Sequence, residues 1–174
     1  YSKQGNTTLP GGFKLGIYGR FRNERPIVLA CSMIPYRFLS DWWEDTSVDL
    51  DQCSSKDQSL LELSLLFKNA SVWRFLLQRE VSVNHGLLTP LNVAIKNQIS
   101  EAIELLLDAG ADVNRMGPSD CRTCLSEAVC QDDLELMRKL IDHGANVNHQ
   151  HVLKGPKDIY ATSPLFEACI GAKH

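Results

Sequence analysis

The stretch Thr89–Asn114, TPLNVAIKNQISEAIELLLDAGADVN, carries two helix starts and two helix stops. Thr89 can cap a helix through its hydroxyl, and Pro90 suits the first helical position, where its missing N–H has no partner to lose. Leu91, Ala94 and Ile95 then recur at helical spacing. Asn97-Gln98 breaks the run. Ser100 and Glu101 open a second helix with Ala102, Ile103, Leu106 and Leu107 as its apolar side. Gly110 follows, where a left-handed residue normally closes a helix. The stretch reads as one helix–turn–helix unit.

The unit recurs. Thr123–Asn148 aligns with it without a gap, and so does Ser59–Asn84. In Thr123–Asn148, Leu125, Ala128 and Val129 mark helix one, and Asp132 or Asp133 caps helix two. Leu134, Leu136, Met137, Leu140 and Ile141 form the apolar side of helix two, and Gly144 terminates it. In Ser59–Asn84 the apolar residues are Leu61, Leu63, Leu65, Leu66 and Phe67, then Val72, Trp73, Phe75, Leu76 and Leu77. Glu80 holds the slot of Gly110 and Gly144. A non-glycine left-handed residue costs about 1 kcal/mol, which predicts a looser or differently shaped helix end there. A period of this length means stacked units sharing one apolar core. The predicted fold is an all-α solenoid of helix pairs joined by hairpin loops, and such arrays work by presenting a surface.

Six segments are expected. Residues 1–24, rich in glycine, read as a flexible N-terminal arm. Residues 25–58 are either a degenerate first repeat or an N-terminal cap. Units span 59–88, 89–122 and 123–162, the last with a long finger loop, and 163–174 is a truncated repeat that marks the chain as a fragment of a longer array. From each Val-Asn pair to the next Thr or Ser the distance grows from 5 (Asn84 to Thr89) to 9 (Asn114 to Thr123) to 15 (Asn148 to Ser163). Insertions in such arrays collect on loops at one face, often the binding face.

The bulk numbers exclude several function classes. Net charge is −3, so the chain as a whole has no bias towards nucleic acid. Lys3, Lys14, Arg20, Arg22 and Arg25 against Glu24 leave residues 1–25 locally basic, but the cations are dispersed. No apolar run approaches the roughly 18 residues of a membrane helix, and no secretory leader is visible, so a cytoplasmic or nuclear setting with reduced thiols is expected. Cys121 and Cys124 have the spacing of a zinc half-site, and Cys130, His143, His149 and His151 lie downstream. A zinc site needs four converging ligands, and these fall on differently directed parts of the repeat, so small semi-buried thiols are the preferred reading. No nucleophile–base order or phosphate-cradling loop stands out. The expectation is no catalysis and no cofactor.

These residues resemble the ankyrin repeat family, whose pattern opens Thr-Pro-Leu-His and ends Gly-Ala-Asp/Asn-Val-Asn. The resemblance rests on Thr89, Pro90, Leu91, Ala94, Leu106, Gly110 and Asn114, and again on Leu140, Gly144 and Asn148. It covers about 59–174, and 25–58 weakly. The family histidine that bonds back to the threonine is replaced by Glu62, Asn92, Ser126 and Phe166, which implies a weaker local link. Within the family, Ser163-Pro164-Leu165-Phe166-Glu167-Ala168-Cys169 is similar to a stretch in proteins that end in a SOCS box and adapt substrates to cullin ubiquitin ligases.

The resemblance implies a protein-interaction module, a scaffold or adaptor with no enzyme activity and no membrane insertion. Its partner is a protein, and a cullin or elongin complex would be met through a part outside this chain. The other reading is the regulatory arm of a larger enzyme or channel. Met116, Pro118, His149, Val152, Lys154, Lys157 and Tyr160 on the two longer fingers mix apolar and basic groups, as contact surfaces do, and are the expected partner-binding residues. Asn114 and Asn148 are expected to bond the hairpin loops, and the resemblance makes them candidates for asparaginyl hydroxylation.

Overall fold

A computed structural model describes residues 49–116, 122–154 and 159–171. The arm at 1–24, most of segment 25–58, Pro118, Cys121 and Lys157 lie outside the described residues. The elements run α1 (Leu60–Leu66), α2 (Ala70–Gln78), α3 (Pro90–Lys96), α4 (Ser100–Asp108), α5 (Cys124–Cys130), α6 (Leu134–Asp142), β1 (His151–Lys154), β2 (Ile159–Thr162) and α7 (Pro164–Gly171). Helices of 7 and 9 residues are marginal alone. They persist because each pair closes on itself and stacks on the next. First helices pack in series, α1 on α3, α3 on α5 and α5 on α7, with α2, α4 and α6 as a second layer behind them.

The core is the leucine pattern made solid. Leu60, Leu65, Leu76, Ala94, Ile95, Leu106, Ala128 and Leu140 are fully buried in one continuous cluster that runs through all three units. Every first helix starts with the same cap. Ser59, Thr89, Thr123 and Ser163 accept from the backbone N–H three residues on, at 3.1, 3.3, 3.1 and 3.3 Å. Asp133, not Asp132, caps α6, accepting from Leu136 N at 3.0 Å. Asp132 takes the left-handed turn between the helices (φ 55), as Lys68 (φ 54) and Gln98 (φ 56) do in the other units.

One expectation is narrowed and two need correction. The end of α2 is not differently shaped, since Glu80 adopts φ 54 in step with Gly110 at φ 79 and Gly144 at φ 87. It is looser: Val81 N reaches Leu76 O at 3.5 Å, against 2.9 Å for both Ala111 to Leu106 and Ala145 to Leu140. Leu134 and Ile141, expected on the apolar side of α6, are 64% and 48% exposed, because that helix turns Leu136 and Leu140 into the core with Met137 half-buried beside them. Leu66 and Phe67 are likewise 43% exposed, being the last residue and the C-cap of α1.

Asp49-Leu50-Asp51 repeats the closing geometry of the units. Asp51 N bonds Asp49 Oδ1 at 3.0 Å, as Asn114 N bonds Asp112 Oδ1 and Asn148 N bonds Asn146 Oδ1, both at 2.9 Å. The same local turn therefore precedes α1 at residues 49–51.

Candidate functional site

The loops between units form a row of fingers, and side chains fasten each finger to its neighbours. Asn84 donates through Nδ2 to Gly110 O at 3.2 Å, and its Oδ1 accepts from Asp112 N at 2.8 Å. Asn114 does the same one unit later, to Gly144 O at 2.9 Å and from Asn146 N at 2.8 Å. Both edges of one primary amide are thus used to clasp the next hairpin, which an amide can do because it carries donors and an acceptor together. Asp51 occupies the same slot ahead of the first unit and keeps only the accepting half, from Ser82 N at 2.8 Å. Asn148 is exposed.

The first finger is the tightest. Gly86 sits at φ +113, and a Cβ there would lie 2.7 Å from Glu62 Oε2. Glu62, in the slot of the family histidine, is fully buried and accepts from Leu88 N at 3.3 Å, so it holds this finger from below. Asn92 in the same slot donates to Arg122 O at 3.4 Å, holding the base of the second finger. The slot has therefore exchanged a local bond for unit-to-finger bonds, although Asn92 Oδ1 and Ser126 Oγ stay without a partner. Arg115 Nη2 donates to Gly86 O at 3.1 Å and joins fingers one and two. Arg122 faces Glu167 of α7 at 3.7 Å.

The third finger is a β-hairpin. β1 and β2 pair antiparallel with His151 opposite Thr162, Val152 opposite Ala161, Leu153 opposite Tyr160 and Lys154 opposite Ile159. The expected contact residues separate on this frame. Met116 and His149 are half-buried at the roots of the second and third fingers. Val152 and Lys154 lie two apart on β1 and share one register phase, whereas Tyr160, opposite Leu153, belongs to the other.

Two of the described thiols are held in the protonated form. Burial pushes the Cys53 thiol up, helped by Asp57, Glu62, Asp51 and Asp49. Partial desolvation of its sulfur also raises Cys130, with Arg122 opposing and Glu167 and Glu127 adding to the rise. Thiolate is the nucleophilic form, so both are set against attack chemistry at neutral pH. Cys124 is fully buried at the first position of α5, while Cys130 is exposed at its end.

The family model for ankyrin repeats, in three copies, matches residues 67–151. These residues are ankyrin repeats. The chain is also 40% identical over 67 residues to the B-cell lymphoma 3 protein homolog of Mus musculus, a match covering 38% of this chain and 15% of that protein. It is 34% identical over 64 residues to the BRCA1-associated RING domain protein 1 of Caenorhabditis elegans, covering 37% of this chain and 9% of that protein. The chain thus spans only a small part of the length of either relative. Ankyrin repeats are a protein–protein interaction module, and the helical stack described above is their solenoid. No helix among the described residues is long and apolar enough to cross a membrane.

Residue-level reading of the sequence missed several parts of the ankyrin surface. Asp51 was legible: Asp49-Leu50-Asp51 lies 33 residues before Ser82-Val83-Asn84 and fits the same polar–Val/Leu–polar pattern. Glu62 and Arg115 as finger clasps left no signal, because their partners are backbone carbonyls and amides that no pattern of side chains reveals.

Proposed function

We propose that this chain is the recognition segment of an adaptor, and that its fingers and the outward positions of its first helices read a partner protein. Met116, Pro118, His149, Val152, Lys154, Lys157 and Tyr160 are the residues assigned to that contact. The observation that carries the reading is the third finger. A two-stranded hairpin is marginal on its own, and here it is the longest loop of the array, anchored where Leu165 N meets Val147 O at 3.1 Å. A rigid stack holding one projecting hairpin keeps the ordering cost of binding low.

The finer reading is delivery of substrates to a cullin ubiquitin ligase in the cytoplasm or nucleus. It is supported by the similarity of Ser163–Cys169 to the SOCS-box adaptors, with the cullin or elongin contact made outside these residues. The competing reading, a regulatory arm of a larger enzyme or channel, uses the same fingers. The unit boundaries 59–88, 89–122 and 123–162, with 163–174 opening a fourth, belong to the proposal. So does a repeat at 25–58, which the Asp51–Ser82 bond supports. Hydroxylation of Asn114 or Asn148 is a further part, and a gain of one oxygen on a peptide holding either residue tests it.

Affinity capture with the intact chain and with a version lacking residues 151–159 tests the central point. Loss of specific partners from the shortened form is expected. An unchanged set would show that the hairpin is not the reader.

A further inference from the structure

The second-helix layer opens between α4 and α6. These two helices approach each other less closely than α2 and α4 do. Lys139 of α6 spans this gap, its ammonium meeting Glu104 of α4 at 2.7 Å and Glu135 of its own helix at 3.1 Å. The gap holds two adjoining cavities of about 300 and 600 Å³ that share Ser100, Ile103, Asp133 and Leu136.

This cleft has an acidic rim, and polar atoms make up more of its exposed lining than apolar ones. Ile103 and Leu136 line it, and Leu134 stands at the lip, 64% exposed. Ser100 and Ala70 hold the equivalent first position in α4 and α2, so neither helix formation nor packing calls for leucine there. Glu104, Asp132, Asp133 and Glu135 surround the opening, and among the described residues Lys139 is the one cation lining it, which leaves four negative charges less one, or −3. Lys139 is itself occupied by Glu104 and Glu135, so the rim has no cation to offer an acidic ligand.

We propose that the α4/α6 cleft is a second docking site, separate from the fingers, for a short basic segment of a partner protein that carries one aliphatic side chain. The aliphatic group packs on Leu134 over the cleft, and flanking Lys or Arg residues meet the carboxylates of the rim. Complementary charge steers such a segment in and the apolar contact holds it, a division of labour common at interfaces. Nucleic acid and acidic peptides are repelled by the same rim.

The test is fluorescence anisotropy on the intact chain with a labelled Lys-Arg-Leu-Lys-Lys peptide and its Lys-Arg-Ser-Lys-Lys counterpart. The leucine peptide is expected to bind saturably, weakening as salt rises, and the serine peptide to bind about tenfold more weakly. Leu134→Ser and the double variant Asp132→Asn, Glu135→Gln are each expected to lower affinity for the leucine peptide about fivefold or more. Leu134→Ala replaces Leu134→Ser if the latter shifts the thermal melt. Removing residues 151–159 leaves this binding unchanged, which separates its fate from that of the finger reading. Equal binding of the two peptides, indifference to either variant, or no saturable binding up to about 1 mM would overturn the proposal.

Discussion

Units one and two share a backbone and differ in what fastens it. In unit two, α4 ends at Gly110, Ala111 N bonds Leu106 O at 2.9 Å, and Asn84 clasps the hairpin from both sides. In unit one, α2 ends at a left-handed Glu80, the matching bond stretches to 3.5 Å, and Asp51 supplies only an acceptor. The fold tolerates this because the leucines decide the shape. Leu76 and Leu106 are equally buried, at 0% exposure. Hairpin residues set how firmly a unit is held, and the core sets whether it forms at all.

Single substitutions break or sharpen this contrast, in order of size. Leu106→Ala removes a fully buried side chain, and a loss of about 2–5 kcal/mol is expected in denaturant melts. Asn114→Ala removes both clasp bonds and is expected to lose about 1–2 kcal/mol, whereas Asp51→Ala, with one bond to lose, costs about half as much. Glu80→Gly relieves the left-handed strain of unit one and is expected to gain up to about 1 kcal/mol, making its end resemble that of unit two. A gain from Gly110→Ala would contradict this reading of both ends.

The smallest effect is electrostatic. Hydrogen bonding to Arg74 holds the Glu101 carboxyl below its usual range. A depressed carboxylate stabilises the fold above the unfolded pKa, and that contribution is lost as pH falls through the folded one. The pair is exposed, so the expected change is slight. Glu101→Gln should leave the melting temperature at neutral pH nearly unchanged and slightly flatten its fall in acid.

The stack was legible in the sequence because two signals coincide there, apolar spacing and terminating glycines at a fixed interval. Thr89, Thr123, Gly110 and Gly144 could be placed before any coordinates. The exposure of Leu134 and Ile141 could not, because helical period marks an apolar side without saying which neighbour covers it. The strand pairing of the third finger escaped as well. His151–Lys154 and Ile159–Thr162 are each four residues long, too short for alternation to register. The α4/α6 cleft depends on how Lys139 meets Glu104 across 35 residues, a relation that only the packed units create.

Amide hydrogen exchange of Leu106→Ala tests most directly whether the units lean on one interior. Faster exchange is expected in α2 and α6 as well as in α4, because the three helices draw on the same cluster. Exchange that quickens in α4 alone would mean that each helix pair stands by itself, and the stacked core would be refuted.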